Sequence, residues 1–330
     1  MEAGGLMKAV VLSHYGSLEQ LELKDIEKPT PRAGEVLVKI HATTINDWDW
    51  CLVRGTPFYI RLLCGWRKPN IPIPGAEIAG RVEAVGQNVT QFRVGDAIYG
   101  DISECGFGGF SGYVCVPETA LANIPEGTTF TEAAAIPHAA MLAVQGLMDA
   151  GQLQPGQKLL INGGGGGVGT LGVQIARTLG VEEITGVDHA SKFALMRSLG
   201  FTQTIDYTQA DFTKGSERYD MILDTKTNRS PFKYLSVLKP GGIYVTVGGL
   251  TPRLLQVALF GPIVRKLTSK RMHLVNLQPN KDLAYINKLL TASQLKPVIE
   301  GPYPLSEVPR LIQHFGEGRH LGKVVIAPGA

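Results

Sequence analysis

The stretch Asn162-Gly-Gly-Gly-Gly-Gly-Val-Gly169 decides how the rest of this chain is read. Gly164, Gly166 and Gly169 satisfy GxGxxG, and the glycine run leaves other registers open. The pattern is weak alone and gains weight from its flanks. The apolar run Lys158-Leu-Leu-Ile161 precedes it as a buried strand, and Val168 to Leu179 follows with helical periodicity. In that setting one glycine makes a tight turn and a second lets the backbone approach a pyrophosphate at the helix N-terminus. The third permits close helix-to-strand packing. Gly164, Gly165, Gly166, Gly167, Val168 and Gly169 are therefore candidate cofactor contacts. A nucleoside-triphosphate loop is excluded, because it needs Lys and then Ser or Thr after its last glycine, and here Thr170 and Leu171 follow. A methyltransferase sheet carries a similar loop and stays as a rival. Asp188 ends the next expected strand about 20 residues on, where an acid holds ribose hydroxyls, and favours a dinucleotide.

Downstream of the loop, strand-like and helix-like segments alternate. Glu183–Val187, Tyr219–Asp224 and Gly242–Val247 read as strands, with a helix over Lys192–Leu199. Such alternation predicts a doubly wound parallel sheet, a Rossmann α/β fold. Upstream, Lys8–Leu12, Glu35–His41 and Ala79–Val85 are short strands punctuated by Pro and Gly, which predicts a small antiparallel barrel or sandwich. An alanine-rich helix begins near Thr131, the expected N-cap. Past Met272 come a helix over Leu283–Leu290 and a strand over Lys323–Ile326. The methyltransferase rival explains neither the barrel-like segments nor the Gly322-Lys323 ending.

At 330 residues the chain is long for one core, so two domains are expected. A net charge of +3 implies neither nucleic-acid nor membrane binding. The basic cluster Arg265, Lys266, Lys270 and Arg271 reads as a solvated helix face rather than an anionic docking patch. Cys51, Cys64, Cys105 and Cys115 form no CxxC pair, which favours a reducing compartment and a cytoplasmic location. Met7-Lys8-Ala9-Val10 looks like a native start, with residues 1–6 as a leader.

Several segments, in this order, resemble the medium-chain dehydrogenase/reductases, and among them the zinc-independent quinone oxidoreductase group. They are Pro31–Lys39, Ile45-Asn46 with Asp49, Pro74–Gly80, Gly86 with Phe92–Asp96, the glycine loop, Leu238–Gly242 and Leu321–Ile326. The resemblance implies a GroES-like β-barrel catalytic domain formed from both chain ends (residues 7–128 and 273–330) around a Rossmann domain (residues 129–272). Zinc-dependent members carry Cys where this chain has Asn46, His where it has Ala76, and Cys near His138. Asn and Ala are poor zinc ligands, and a catalytic ion needs three protein ligands, so no metal is expected. His138 reads as a hydrogen-bonded pocket or core residue. Cys105 is the only cysteine in Asp101–Val114, where a structural zinc lobe needs four.

Without a Lewis acid, the expected chemistry is hydride transfer from NAD(P)H to a quinone or to the β-carbon of an activated alkene. The alternatives are a zinc-independent alcohol dehydrogenase-like member, or a cofactor-binding structural or partner-binding protein with little turnover. Charge then builds on a carbonyl oxygen and calls for hydrogen-bond donors. Asn46 is the first candidate donor, its other reading being a loop residue that caps its own backbone. Arg54 and Tyr59 follow in the next loop, among Trp48, Trp50, Phe58 and Trp66. Leu142 stands where many relatives have a nicotinamide-contacting Thr. For the cofactor, the resemblance places Lys192, Tyr207 and Arg319 near the 2′-phosphate of NADP, whereas Asp188 suits NAD, so dual use is expected. Val247, Gly248 and Gly249 complete the cofactor set. A homodimer acting on a small carbonyl or quinone substrate is the expected assembly.

Overall fold

The computed structural model describes residues 5–329, so most of the expected leader lies outside the described residues. The chain divides into two compact units. One comprises the chain up to His138 together with Pro279–Thr291 and the segment from Pro297 onward. The other comprises Ala139–Gln278 with Ala292–Lys296.

In the first unit, Leu6–Leu12 and Leu21–Glu27 form an antiparallel hairpin. A seven-stranded sheet runs Ile299–Tyr303, Lys323–Ile326, Glu35–Ile45, Glu77–Val85, Ala97–Asp101, Ala122–Asn123, and Tyr113–Pro117 pairs with Glu35–Ile45 as well. All its pairings are antiparallel except the first. Glu35–Ile45 runs four residues past its expected end and is less regular than its alternation suggests: Leu37 is buried along with Val36 and Val38. Val36, Val38, Ile78, Val82, Ile98 and Val116 close one apolar core over this sheet. A second core gathers Val10, Ile45, Leu52, Phe110, Leu311 and Val324, which joins the two ends of the chain. The alanine-rich helix starts earlier than expected. Thr129, not Thr131, is its N-cap, because Thr129 and Glu132 exchange side chain-to-backbone hydrogen bonds in a capping box before Phe130–Ala134.

The second unit is a six-stranded parallel sheet. Numbered along the chain, its strands are Leu159–Asn162, Ile184–Asp188, Gln203–Asp206, Tyr219–Asp224, Leu238–Thr246 and Arg271–Leu274, in the spatial order 3-2-1-4-5-6. That is the classic dinucleotide-binding order. Leu160, Val187, Ile222, Tyr234, Leu238 and Tyr244 form much of its core, with Tyr234 and Tyr244 stacked at 4.7 Å. Gln203–Asp206 and Arg271–Leu274 lie at the two sheet edges and are short and polar, so neither shows an apolar run in the sequence.

Candidate active site

The first and fourth strands of the parallel sheet are neighbours, and chain order reverses between them. Ligands of such sheets bind beyond the carboxyl ends of the strands at that reversal. The glycine run occupies this position. Gly163, at φ 89°, turns the chain, and its N–H and that of Gly164 donate to Val187 O at 2.8 and 3.1 Å. The helix Gly167–Thr178 starts on Gly166, whose position carries no side-chain cap. The N–H groups of Gly167, Val168 and Gly169 have no intrahelical acceptor, and they carry the positive end of the helix dipole. Gly167 and Val168 are partly exposed there. A Cβ on Gly169 would stand 2.6 Å from Gly164 Cα, so the close packing of turn on helix excludes any side chain. This bare, donor-rich helix start fits a diphosphate.

Asp188 is buried and ties three things together. Its Oδ2 accepts the Gly165 N–H at 2.9 Å and its Oδ1 accepts the His189 N–H at 2.8 Å. Lys192 Nζ lies 3.4 Å from Oδ1, and at 3% exposure this lysine is as buried as its partner. The Lys192 stem crosses the loop, because a Cβ on Gly165 would meet Lys192 Cδ at 2.5 Å. Tyr207 follows the third strand, donates its N–H to Asp188 O at 3.4 Å, and exposes its ring beside His189. Asp188, Lys192 and Tyr207 thus gather at the loop. Arg319 belongs to the first unit, where it is exposed and paired with Glu317 at 3.2 Å.

Val247, Gly248 and Gly249 leave the fifth strand at its carboxyl end. Their neighbours Thr225 and Lys226 escaped the sequence reading. Thr225 donates both its N–H and its hydroxyl to Asn162 O, at 3.0 and 2.9 Å. The Lys226 stem lies over the loop: a Cβ on Gly163 would meet its Cγ and Cε at 3.3 Å. Buried Asp224 anchors the turn by accepting the Lys226 and Thr227 N–H groups at 3.0 Å, the Asn162 amide at 2.8 Å and the Tyr244 hydroxyl at 2.7 Å. The acid ending Tyr219–Asp224 was the available signal. A shallow depression lined by Met148, Gln152, Leu179, Asp220 and Arg271 lies at the opposite ends of the strands, away from the glycine loop.

The first unit holds a buried polar cluster whose position follows from strand register. Val324 pairs with Ile45, Thr43 with Ile78, and Glu77 with Asp101, so Lys323, Thr44, Asn46, Glu77 and Asp101 meet at one end of the sheet. Glu77 is its hub. One carboxylate oxygen accepts from Thr44, Lys323 and, at 3.3 Å, the Asn46 amide. The other accepts the His138 N–H at 2.7 Å. His138 Nδ1 lies 2.7 Å from Asp101 Oδ2. Burial pulls the His138 imidazole down, but the bond and charge of Asp101 outweigh it and leave it above the usual histidine range. Asp49, fully buried, is pushed up to about 7 by burial, although it accepts the Asn46 and Gly75 N–H groups at 2.9 and 2.8 Å.

The three sequence candidates do not converge. Asn46 is the N-cap of the helix Asp47–Arg54: its Oδ1 accepts the Trp48 N–H at 3.1 Å and its amide is spent on Glu77. The Arg54 guanidinium stacks on Trp50 at 4.6 Å. Tyr59 begins the separate helix Tyr59–Cys64 with 39% exposure, and burial raises its phenol. Glu77, Asp101 and Lys323 were missed because each reads as a strand-end residue until the register brings them together.

Residues 32–126 match the family model of an alcohol dehydrogenase GroES-like domain, and residues 199–326 match that of a zinc-binding dehydrogenase. A 2-methylene-furan-3-one reductase of Solanum lycopersicum is 32% identical, over 98% of this chain and 79% of its own length. The chain belongs to the medium-chain dehydrogenase/reductases, in their quinone oxidoreductase-like group. A human quinone oxidoreductase is 28% identical over 97% of this chain and 98% of its own. The structure of a quinone oxidoreductase from Coxiella burnetii superposes with a TM-score of 0.86 at 26% identity, covering 98% of this chain and 99% of that one. This member of the superfamily is an oxidoreductase with NAD or NADP as cofactor.

Proposed function

We propose that this reductase transfers a hydride from NAD(P)H to a quinone or an α,β-unsaturated carbonyl compound, without zinc. The observation that carries the reading is similarity along nearly the whole chain to the Solanum lycopersicum reductase, named for an enone. An Arabidopsis thaliana relative, 30% identical, is named as an NADPH-dependent alkenal/one oxidoreductase. The donor chemistry at the expected metal positions supports the zinc-free part. Asn46 is committed to Glu77 and Trp48, Ala76 offers no donor, and His138 Nδ1 is committed to Asp101.

The cofactor supplies the hydride. Gly164–Gly169 hold its diphosphate on the helix start, and Asp188, Lys192 and Tyr207 bound its adenosine end. Val247–Gly249 line its other side. Asn46 fixes Glu77 and the start of the helix Asp47–Arg54 rather than serving as a free donor. No helix among the described residues is long and apolar enough to cross a membrane. We place the enzyme in the cytoplasm on a separate ground, the four free cysteines that suit a reducing compartment.

Simple quinones and enones, each assayed with NADH and with NADPH, test this reading. Turnover of at least one class with retained activity in purified, zinc-free protein is the expected result. Dinucleotide binding with no turnover of either class would leave a binding protein instead.

A further inference from the structure

We propose that Lys226 is the cation that meets the diphosphate of the bound dinucleotide, an inference that rests on the cofactor site proposed above. A dinucleotide diphosphate is doubly negative at neutral pH. The helix start offers it N–H groups and a dipole end equivalent to roughly half a positive charge. Charge balance at the loop therefore calls for a cation, and two lysines lay their stems across its glycines. Lys192 is one, but it is buried and its ammonium stands 3.4 Å from the Asp188 carboxylate, which already balances it. Lys226 is the other.

Strand register puts Lys226 at the loop. Asp224 pairs with Asn162 on one side and with Thr246 on the other, so the first, fourth and fifth strands end level. The residues leaving those ends are Gly163, then Thr225 with Lys226, then Val247 to Gly249, and all belong to the second unit. A Cβ on Gly163 would meet Lys226 Cγ and Cε, each at 3.3 Å, so the stem runs along that glycine. A Cβ on Gly249 would stand 2.5 Å from Lys226 O. Lys226 is thus packed between two glycine segments assigned to the cofactor, with its N–H held by Asp224 at 3.0 Å.

The ammonium at the end of that stem has no counter-charge. Lys226 is exposed, and no hydrogen bond or ion pair joins its Nζ to a described residue. Asp224 is the nearest acid in sequence, but both its oxygens are engaged. One accepts the Asn162 amide and two main-chain N–H groups, and the other accepts the Tyr244 hydroxyl. No Asp or Glu follows until Asp282. The course of the stem across Gly163 distinguishes Lys226 from a lysine that merely extends into solvent. Lysine binds phosphate as a compact point charge. The diphosphate is common to NAD and NADP, so Lys226 serves affinity for both, whereas Asp188 and Lys192 bear on the choice between them.

Calorimetric titrations of the purified protein with ADP-ribose, NADH and NADPH, alongside thermal unfolding, test this in the parent and in variants. Lys226→Met keeps the stem and removes the charge. It should weaken all three ligands by a common factor of at least about fivefold at low salt. The ratio of NADH to NADPH affinity should stay within about twofold of the parent's, since the lost contact is to a shared group. Added salt should weaken binding to the parent more than to Lys226→Met, because ions screen an exposed charge. Lys226→Arg keeps a phosphate-binding cation and should restore affinity to within about threefold. Lys239→Met removes the same charge from the fifth strand near its opposite end and should leave every affinity within about twofold. A folded Lys226→Met protein that binds ADP-ribose as tightly as the parent overturns the proposal and leaves the proposed reaction, which turnover tests, untouched. So does a loss confined to NADPH, which would assign the ammonium to the 2′-phosphate, and so does an equal loss in Lys239→Met. Lys226→Gln carries the test if Lys226→Met does not fold. A parent that binds none of the three ligands overturns the cofactor site and this inference together.

Discussion

Asp188 works against a 2′-phosphate in two ways. As a carboxylate at the end of the second strand it suits two free ribose hydroxyls and repels a 2′-phosphate. As the partner of Lys192 it also consumes the cation that a 2′-phosphate would recruit, since the two sit 3.4 Å apart and are both buried. Like charges about 4 Å apart cost on the order of 1 to 4 kcal/mol at surface dielectrics. Asp188→Ser therefore removes a repulsion and, in the same change, the ion pair that sets Lys192 against a carboxylate. The expected outcome is a shift of the kcat/KM ratio toward NADPH by at least about tenfold, roughly 1.4 kcal/mol. Affinity for both cofactors should also weaken, because the Gly165 N–H loses its acceptor. Steady-state constants for both cofactors, in parent and variant, check this. Asp49 makes a second prediction at the same scale. Its folded pKa, about 7, lies above the unfolded value of 3.8, so the folded state binds more protons between those limits. The stability this group contributes is fully present below the unfolded pKa and is lost as pH rises to about 7. The slope in that window is at most about 1.4 kcal/mol per pH unit. Urea midpoints against pH should show that decline in the parent and lose it in Asp49→Asn.

At the level of elements, the glycine loop was the most legible part of the chain, because strand, turn and helix start are local in sequence. Gly169 shows that locality. Its Cβ position is blocked by Gly164, within the loop itself. Gly169→Val must therefore open the turn, and the variant should lose dinucleotide binding together with about 1 to 3 kcal/mol of stability. Calorimetry and cofactor titration on one preparation would show both losses, and unchanged affinity in a folded variant would sink the assignment. The second unit's central strands were readable from apolar runs such as Tyr219–Asp224, whereas its polar edge strand Gln203–Asp206 was not. Of the long helix Thr251–Leu267 only the basic end at Arg265 and Lys266 was read as helical, and Lys270 and Arg271, read with it, lie beyond its end; Leu254, Leu255, Val257, Leu259 and Phe260 crowd its apolar positions and Pro262 interrupts it. The buried cluster around Glu77 was invisible for a different reason. Its strand members come from four strand ends, Glu77 meeting Lys323 across 246 residues of sequence, and only pairing register brings them together. His138 was visible as a residue, but its partner Asp101 was not.

At the scale of the molecule, the second unit leaves one edge of its sheet open. Arg271–Leu274 is the terminal strand, and beside it the helix Thr251–Leu267 exposes Leu255, Leu259, Ile263 and Leu267 at a spacing of four, with exposures of 47 to 78%. A terminal strand whose outer edge has no partner among the described residues, flanked by an apolar stripe, invites association through a second sheet edge. The surface is also one-signed: no Asp or Glu occurs between Asp224 and Asp282, while Arg265, Lys266, Lys270 and Arg271 cluster at the helix end. In a twofold interface the same patch meets itself, so apolar burial favours the contact and like charge opposes it. Salt screens the charge within about 10 Å at 0.1 M and leaves the apolar term in place. The enzyme should therefore sediment as a homodimer whose dissociation constant falls as salt rises, opposite to an ion-paired interface. Leu259→Glu, which sets a new carboxylate in the middle of the stripe, should weaken the dimer by about 1.5 to 3 kcal/mol without lowering monomer stability. A parent that sediments as a monomer at micromolar concentration in high salt, or a Leu259→Glu dimer as tight as the parent's, would show that this edge is not the contact.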